Sequence, residues 1–333
     1  MLRWLIRIVL GLIVFVALCV GALWVWKPWV PPLTLAEPGP TGQRVTEDGM
    51  FMNYFPGPKD GSHPLILLFG GSEGGLAPGG QRMGVALQEQ GFHVLQVAYF
   101  RAPGTPRALK NVPLETFDRA KAWAAKQPGV DATRIGIMGV SKGAEGVLIY
   151  ASRRPDVRAV VSAQPSSVVW SSLDWEYIFF PPDGSSWSDG GKPLPHVTFA
   201  GDGTYDYNAG IISGYRSGLR TIDKHPDAVI RVEDIKGAVM LVCGEMDTLW
   251  PSCDMARQIE ARAKEKGAAP PVLLSYEKAG HAGFGVPAKD PTGLSQLGGT
   301  DADNNAARED AWPKAVEFLK ANLAAAEAAP PVP

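Results

Sequence analysis

The chain has 333 residues, a formal net charge of −2 and a pI near 6.2, a balance that offers no basic footprint to a nucleic acid. Its three cysteines form neither a disulfide scaffold nor a zinc pattern, and its five histidines show no His-x-x-x-His or His-Glu-x-x-His spacing for a metal. Two domains would fit in this length, yet α/β folds of this size are often single.

The first thirty residues differ from everything that follows. Ile8 to Trp26 runs without a charge, long enough to cross a bilayer as a helix. Arg3 and Arg7 precede the run and only Lys27 closes it, so the positive-inside rule puts the N-terminus in the cytoplasm and the remainder in the periplasm or cell exterior. Trp24, Trp26 and Trp29 cluster at the far end, where indoles favour the interface. The rival reading is a signal peptide cut near Val20-Gly21-Ala22, which would give a secreted protein. Because the apolar run continues past that site, residues 1–30 are read as an uncleaved, single-pass membrane anchor. Residues 31–48, with Pro31, Pro32, Pro38 and Pro40, read as a stiff linker.

From residue 49 to 323 strands alternate with helices. Pro64–Phe69, Phe92–Tyr99, Arg134–Met138, Val157–Ala163, Ala238–Cys243 and Val272–Tyr276 are apolar runs of strand length. Leu114, Phe117, Ala120 and Trp123 fall at helical spacing, as do Trp312, Ala315, Val316 and Leu319. Pro313 suits the second helix only in its first turn, which suggests Asp310 as its cap. Such alternation predicts an α/β domain, a mostly parallel sheet with helices on both faces. It fails between residues 164 and 232, a stretch rich in Trp, Tyr, Phe, Pro and Gly. This insertion is expected to be a cap, with Trp170, Trp175 and Phe179 as candidate substrate contacts or as a small satellite core. Residues 324–333 are a low-complexity Ala/Pro tail expected to be disordered.

Candidate chemistry sits just past the strands. Gly139-Val140-Ser141-Lys142-Gly143 lies between an apolar strand and a helix, the setting of a nucleophile elbow. Gly70-Gly71-Ser72-Glu73-Gly74 has the same spacing but leads into Gly75, Pro78, Gly79 and Gly80, which is loop chemistry. A serine needs an imidazole to take its proton and a carboxylate to fix that imidazole's tautomer. His281, after Val272–Tyr276, and Asp247, after Ala238–Cys243, follow Ser141 in the order Ser, Asp, His. Glu245 competes with Asp247; Asp247 lies farther along the loop and is preferred. The oxyanion would take one N–H from Lys142 and one from the glycine-rich loop at Ser72, with Gly71 and Glu73 as alternatives. Cys243 and Cys253 flank the Asp247 loop; they could pair if exported, but burial as free thiols is the preferred reading.

These segments together resemble the C-terminal catalytic domain shared by acyl-CoA thioesterases and bile-acid-CoA:amino-acid N-acyltransferases. The resemblance rests on Phe69-Gly70-Gly71-Ser72-Glu73-Gly74-Gly75, Gly139-Val140-Ser141-Lys142-Gly143-Ala144-Glu145, Asp247-Thr248-Leu249-Trp250-Pro251-Ser252 and Ala279-Gly280-His281. Gly298-Gly299-Thr300 ahead of Ala311-Trp312 completes it, so that roughly Pro64 to Leu323 is covered. It implies an α/β-hydrolase fold, a triad on Ser141, Asp247 and His281, and no cofactor or metal. The β-sandwich that precedes this domain in longer members has no counterpart here; the apolar segment stands in its place. Members that transfer acyl groups to amino acids use cysteine where this chain has Ser141. The expected function is cleavage of a small-molecule carboxylic ester or acyl thioester through an acyl-enzyme. Acyl transfer to an amine or alcohol, or a catalytically silent hydrolase-fold binding protein, are the alternatives.

Overall fold

The computed structural model describes residues 2–180 and 182–325. Helix α1 (Leu2–Trp26) has no buried residue. It is the one helix among the described residues long and apolar enough to cross a bilayer, a test that a signal sequence also passes. There follow β1 (Gln43–Val45), β2 (Phe51–Phe55), β3 (His63–Phe69), α2 (Pro78–Gln88), β4 (His93–Ala98), β5 (Val112–Pro113), α3 (Glu115–Ala124), β6 (Val130–Val140), α4 (Lys142–Arg153) and β7 (Val157–Ala163). The insertion after β7 holds β8 (Trp187–Asp189), β9 (Lys192–Pro193) and α5 (Ile211–Leu219). The chain then returns through β10 (Ala238–Gly244), α6 (Ser252–Glu265), β11 (Val272–Tyr276) and α7 (Asp301–Asn322).

Eight strands form the main sheet in the order β1-β2-β4-β3-β6-β7-β10-β11. From β4 to β11 every pairing is parallel, and β2 joins β4 antiparallel. Central strands are apolar on both faces because helices cover both. Phe117 of α3, Val147 of α4 and Ile259 of α6 pack one side; Leu87 of α2 with Trp312 and Leu319 of α7 pack the other. The chain leaves β3 for β4 on one side and later adds β6 on the other, so the order reverses at β3/β6. A crevice opens beyond the carboxyl ends of strands at such a reversal.

Three features differ from the sequence reading. Strand β2, Phe51-Met52-Asn53-Tyr54-Phe55, is buried throughout and was not expected; Asn53 breaks its apolar run, and its amide is satisfied by Gln96 of β4 at 3.0 Å. Helix α7 starts at Asp301 rather than beside Asp310, and Thr300 caps it by accepting the N–H of Asp303 at 3.0 Å. Pro313 therefore lies inside the helix, where the buried Ala307, Ala311 and Ala315 hold the helix across the one hydrogen bond that proline removes. Cys243 and Cys253 are joined in a disulfide rather than buried as free thiols, because the end of β10 and the first turn of α6 bring their Cα atoms to 5.2 Å.

The inserted stretch adds Trp187 and Leu194 to the main core. Its β8 pairs with β5 and β9 in a small second sheet. Val168, Trp170, Val197 and Ala228 form a core of its own with Trp250 and Met255. The expected tail lies, from residue 326 on, outside the described residues.

Candidate active site

Ser141 is the hinge between β6 and α4, with φ 57° and ψ −122°, backbone angles that a side chain other than glycine's adopts only under strain. Its N–H donates to the Ala163 carbonyl at 2.9 Å, and its carbonyl accepts from Glu145 N at 3.1 Å. The elbow closes so tightly that a Cβ on Gly139 would stand 2.3 Å from the Gly143 carbonyl oxygen, and one on Gly143 2.3 Å from that of Gly70. This is the steric content of the Gly-x-Ser-x-Gly spacing: any other residue at either glycine would push the turn apart.

Asp247 and His281 meet at the ends of neighbouring strands. Asp247 Oδ2 lies 2.8 Å from His281 Nδ1 and also accepts the Ser252 hydroxyl at 2.7 Å. Oδ1 accepts the N–H groups of Leu249 at 2.9 Å and Trp250 at 3.2 Å. A carboxylate can only accept, so Nδ1 carries the ring proton and Nε2 is left as an acceptor. Nε2 is buried and has no hydrogen-bond partner among the described residues. Ser141 and His281 line the same cavity without a direct hydrogen bond between them, a looseness common in sites without substrate. Glu245 turns away, bonded to Arg257 and Ser275. The loop bearing His281 is locked by close backbone approach: a Cβ on Gly280 would lie 2.1 Å from the Gly298 carbonyl oxygen.

The loop after β3 forms the opposite wall. A Cβ on Gly71 would be 3.5 Å from Ser141 Cβ, so this loop runs directly beside the elbow. The N–H of Gly71 is held by Glu73 Oε1 at 3.2 Å. Ser72 lines the cavity and its carbonyl accepts Trp175 Nε1 at 2.6 Å. Burial holds the Glu73 carboxyl above its ordinary range, an effect that backbone N–H groups, His281 and Arg101 oppose. Lys142 opens α4, and its N–H is among the first four that a helix cannot satisfy internally. Its ammonium is buried against Glu145 at 2.9 Å and Ser186 Oγ at 3.1 Å. Glu145 Oε1 in turn accepts from Trp170 N at 2.9 Å and Trp187 Nε1 at 3.0 Å. The buried pair thus ties the cap to the underside of the elbow helix.

The cavity measures about 260 Å³. Its apolar wall comes from Leu68, Met83, Val97, Leu249, Phe284 and Val286, not from the aromatics of the inserted stretch, for which substrate contact and a satellite core were both open. Trp170 is buried in the cap core. Trp175 is spent on the Ser72 carbonyl. Phe179 lies at the surface, its ring 5.1 Å from that of Trp29. Four polar residues that the sequence reading missed also line the cavity: Gln96, Gln164, Arg82 and Arg308. Gln164 follows β7 directly, with φ 52°, and neither end of its buried amide has a partner among the described residues. Its position at the end of a central strand was a usable signal; the strained backbone was not visible in the sequence.

The domain described as "BAAT / Acyl-CoA thioester hydrolase C terminal" matches residues 112–325, well over half of the chain. The bile acid-CoA:amino acid N-acyltransferase of Mus musculus is 28% identical over 310 residues, covering 89% of this chain and 70% of that protein. Acyl-coenzyme A thioesterase 5 of the same organism is 27% identical over 297 residues, covering 86% and 66%. The chain therefore spans about two thirds of the length of these curated relatives. Among solved structures, an esterase from Pyrococcus furiosus superposes with a TM-score of 0.53 at 16% identity, covering 88% of this chain and 99% of that one, a likeness of α/β-hydrolase fold. With half of the main sheet's strands and all of the elbow, acid and histidine loops inside the matched segment, this chain belongs to the BAAT / acyl-CoA thioester hydrolase C-terminal family.

Proposed function

We propose that this protein is a serine hydrolase that cleaves a carboxylic ester or acyl thioester through an acyl-enzyme. The observation that carries the reading is the Asp247–His281 contact at 2.8 Å, which leaves Nε2 free in the cavity that Ser141 enters from a strained elbow. In this reading His281 Nε2 takes the Ser141 proton as Oγ attacks the carbonyl, and Asp247 stabilises the imidazolium. Backbone N–H groups of Lys142 and of the loop at Ser72 hold the oxyanion. The imidazolium then gives that proton to the departing alcohol or thiol as the ester or thioester bond breaks, and the acyl group resides on Ser141 until water, activated by His281, releases it as the acid. The names of the thioesterase and acyltransferase relatives support an acyl thioester or ester as substrate; hydrolysis is preferred over transfer because the nucleophile is serine.

The same reading divides the chain into an anchor over residues 1–30, a linker over 31–48 and a hydrolase domain over 49–323 with its cap at about 164–232. It places the catalytic domain outside the cytoplasm. Coenzyme A is a cytoplasmic metabolite, so the natural substrate there is a lipid-like or xenobiotic ester or thioester. A fluorophosphonate probe and a panel of p-nitrophenyl esters and acyl thioesters test the proposal on the purified protein. Labelling and turnover that both vanish in Ser141→Ala are expected; an unlabelled, inactive wild type would leave a silent binding protein in its place.

A further inference from the structure

Two arginines converge on the cavity with no acid to answer them. Arg82 projects from α2 and Arg308 from α7, two helices that pack on the same face of the sheet, and both line the cavity that holds Ser141 and His281. Arg308 is anchored by its Nε, which donates to the Ala282 carbonyl at 2.8 Å, one residue past His281. Its guanidinium carbon would be in ordinary contact, 3.7 Å, with a Cβ on Gly285, which places the group against that loop of the cavity wall. Neither arginine has a carboxylate within 4.0 Å among the described residues, in contrast to Arg154 and Arg262, which are each matched by acids. The pair is close enough that burial and the charge of Arg82 bring the Arg308 guanidinium down to about 10. The other titratable groups on the cavity wall are His281 and Glu73. Glu73 sits on the Ser72 side, bonded to Gly71 N, and its carboxyl is held above its ordinary range by burial.

Arg308 is half-buried and Arg82 exposed at the rim; the repulsion of two like charges beside one cavity costs free energy, and an anion between them removes that cost. Guanidinium groups present paired N–H donors that match carboxylate and phosphate oxygens. We infer that Arg82 and Arg308 form an anion subsite beside the elbow, so that the substrate is an ester or thioester carrying a carboxylate or phosphate a few atoms from its scissile carbonyl. The inference rests on the proposed hydrolase reading for its consequence in turnover, but not for the binding of an anion.

The anion can lie on the acyl side or on the leaving group, and matched substrates separate the two. p-Nitrophenyl hydrogen glutarate carries it on the acyl chain and S-butyryl thioglycolate on the leaving group; p-nitrophenyl butyrate and S-ethyl thiobutyrate are their neutral counterparts. The wild type is expected to favour one anionic member over its neutral partner in kcat/KM. In Arg82→Gln and Arg308→Gln that preference falls about tenfold or more through KM, the size of a lost charge-assisted contact, and Arg82→Lys restores part of it. Equal losses on charged and neutral substrates, or none, overturn the subsite. A second measurement does not depend on turnover: glutarate and inorganic phosphate are titrated into the Ser141→Ala protein by calorimetry. Saturable binding that weakens at least tenfold on adding Arg82→Gln supports the subsite even if no ester is cleaved, in which case the hydrolase reading alone fails. Absence of binding by both anions in Ser141→Ala overturns the subsite even if neutral esters are cleaved.

Discussion

At the scale of single residues, the two Gly-x-Ser-x-Gly motifs make a sharp contrast. Ser141 sits between β6 and α4 with strained backbone angles, whereas Ser72 lies in a loop and presents its carbonyl to Trp175. Ser141→Ala should therefore abolish probe labelling and lower kcat by about a million-fold. Ser72→Ala should keep labelling, since any part it plays in the oxyanion hole is through its backbone; the opposite result would move the nucleophile to Ser72. The acid can be tested in the same way. Asp247→Asn should cut kcat by roughly four orders of magnitude, because an amide lets the imidazole adopt the wrong tautomer. Glu245→Gln should cost far less, since Glu245 is turned to Arg257 and Ser275, and a reversed ranking would reassign the acid. Serine, aspartate and histidine could be picked out in the sequence because each follows an apolar strand. Arg82 and Arg308 could not, because they come from two helices whose packing on one sheet face brings distant parts of the chain together. Nothing in their local sequence distinguishes them from arginines on a solvated face.

At the scale of elements, the six apolar strands were readable because each carries a nearly unbroken apolar run, which burial on both faces imposes on the central ones; β11, at the sheet edge, keeps the run although it is only partly buried. Strand β2 was not, since its burial depends on Asn53 meeting Gln96 across the ladder, a pairing between residues far apart in sequence. The cap aromatics were visible as a cluster, but their targets were not. Trp187 turns its indole to Glu145 under α4, and Trp170 gives Glu145 its main-chain N–H while its indole donates to Ser166, both away from the cavity. This junction is a buried ion pair whose acid is shared by two tryptophans, and burial raises the Glu145 carboxyl and lowers the Lys142 ammonium while each opposes the other's shift. Removing one member leaves the other charged or unbonded in a dry site. Glu145→Ala should thus cost about 3–5 kcal/mol in denaturant unfolding, and the double change Lys142→Met with Glu145→Leu should cost less. If the double variant is the weaker of the two, the pair itself holds the cap on.

At the scale of the molecule, the apolar N-terminal helix, the inserted stretch and the disulfide bear on one question, the compartment in which the site works under the proposed reading. The end of α1 meets the cap: Trp24 packs against Tyr177 at 6.1 Å and Phe180 at 5.9 Å between ring centroids, and Lys27 pairs with Glu176. Phe179 and Phe180 are nonetheless 69% and 55% exposed, an apolar surface suited to lie at the bilayer where the indoles of the anchor end. The Cys243–Cys253 bond brackets the Asp247 loop, and such a bond persists in the periplasm or cell exterior but is rare in a reducing cytoplasm. Closing so short a loop is worth about 2–3 kcal/mol of stability in the chain-entropy picture. A reducing agent should therefore lower the Tm of the purified protein and leave that of Cys243→Ser unchanged. Charge points the same way, with Arg3 and Arg7 before the apolar run and Lys27 alone after it. A phosphatase reporter that works only in the periplasm, fused after Trp26, should be active, and protease added to spheroplasts should digest the hydrolase domain. A silent reporter with a protected domain would return the site to the cytoplasm. Acyl-CoA would then be within reach of Ser141, and the cysteines would be expected as thiols in the cell.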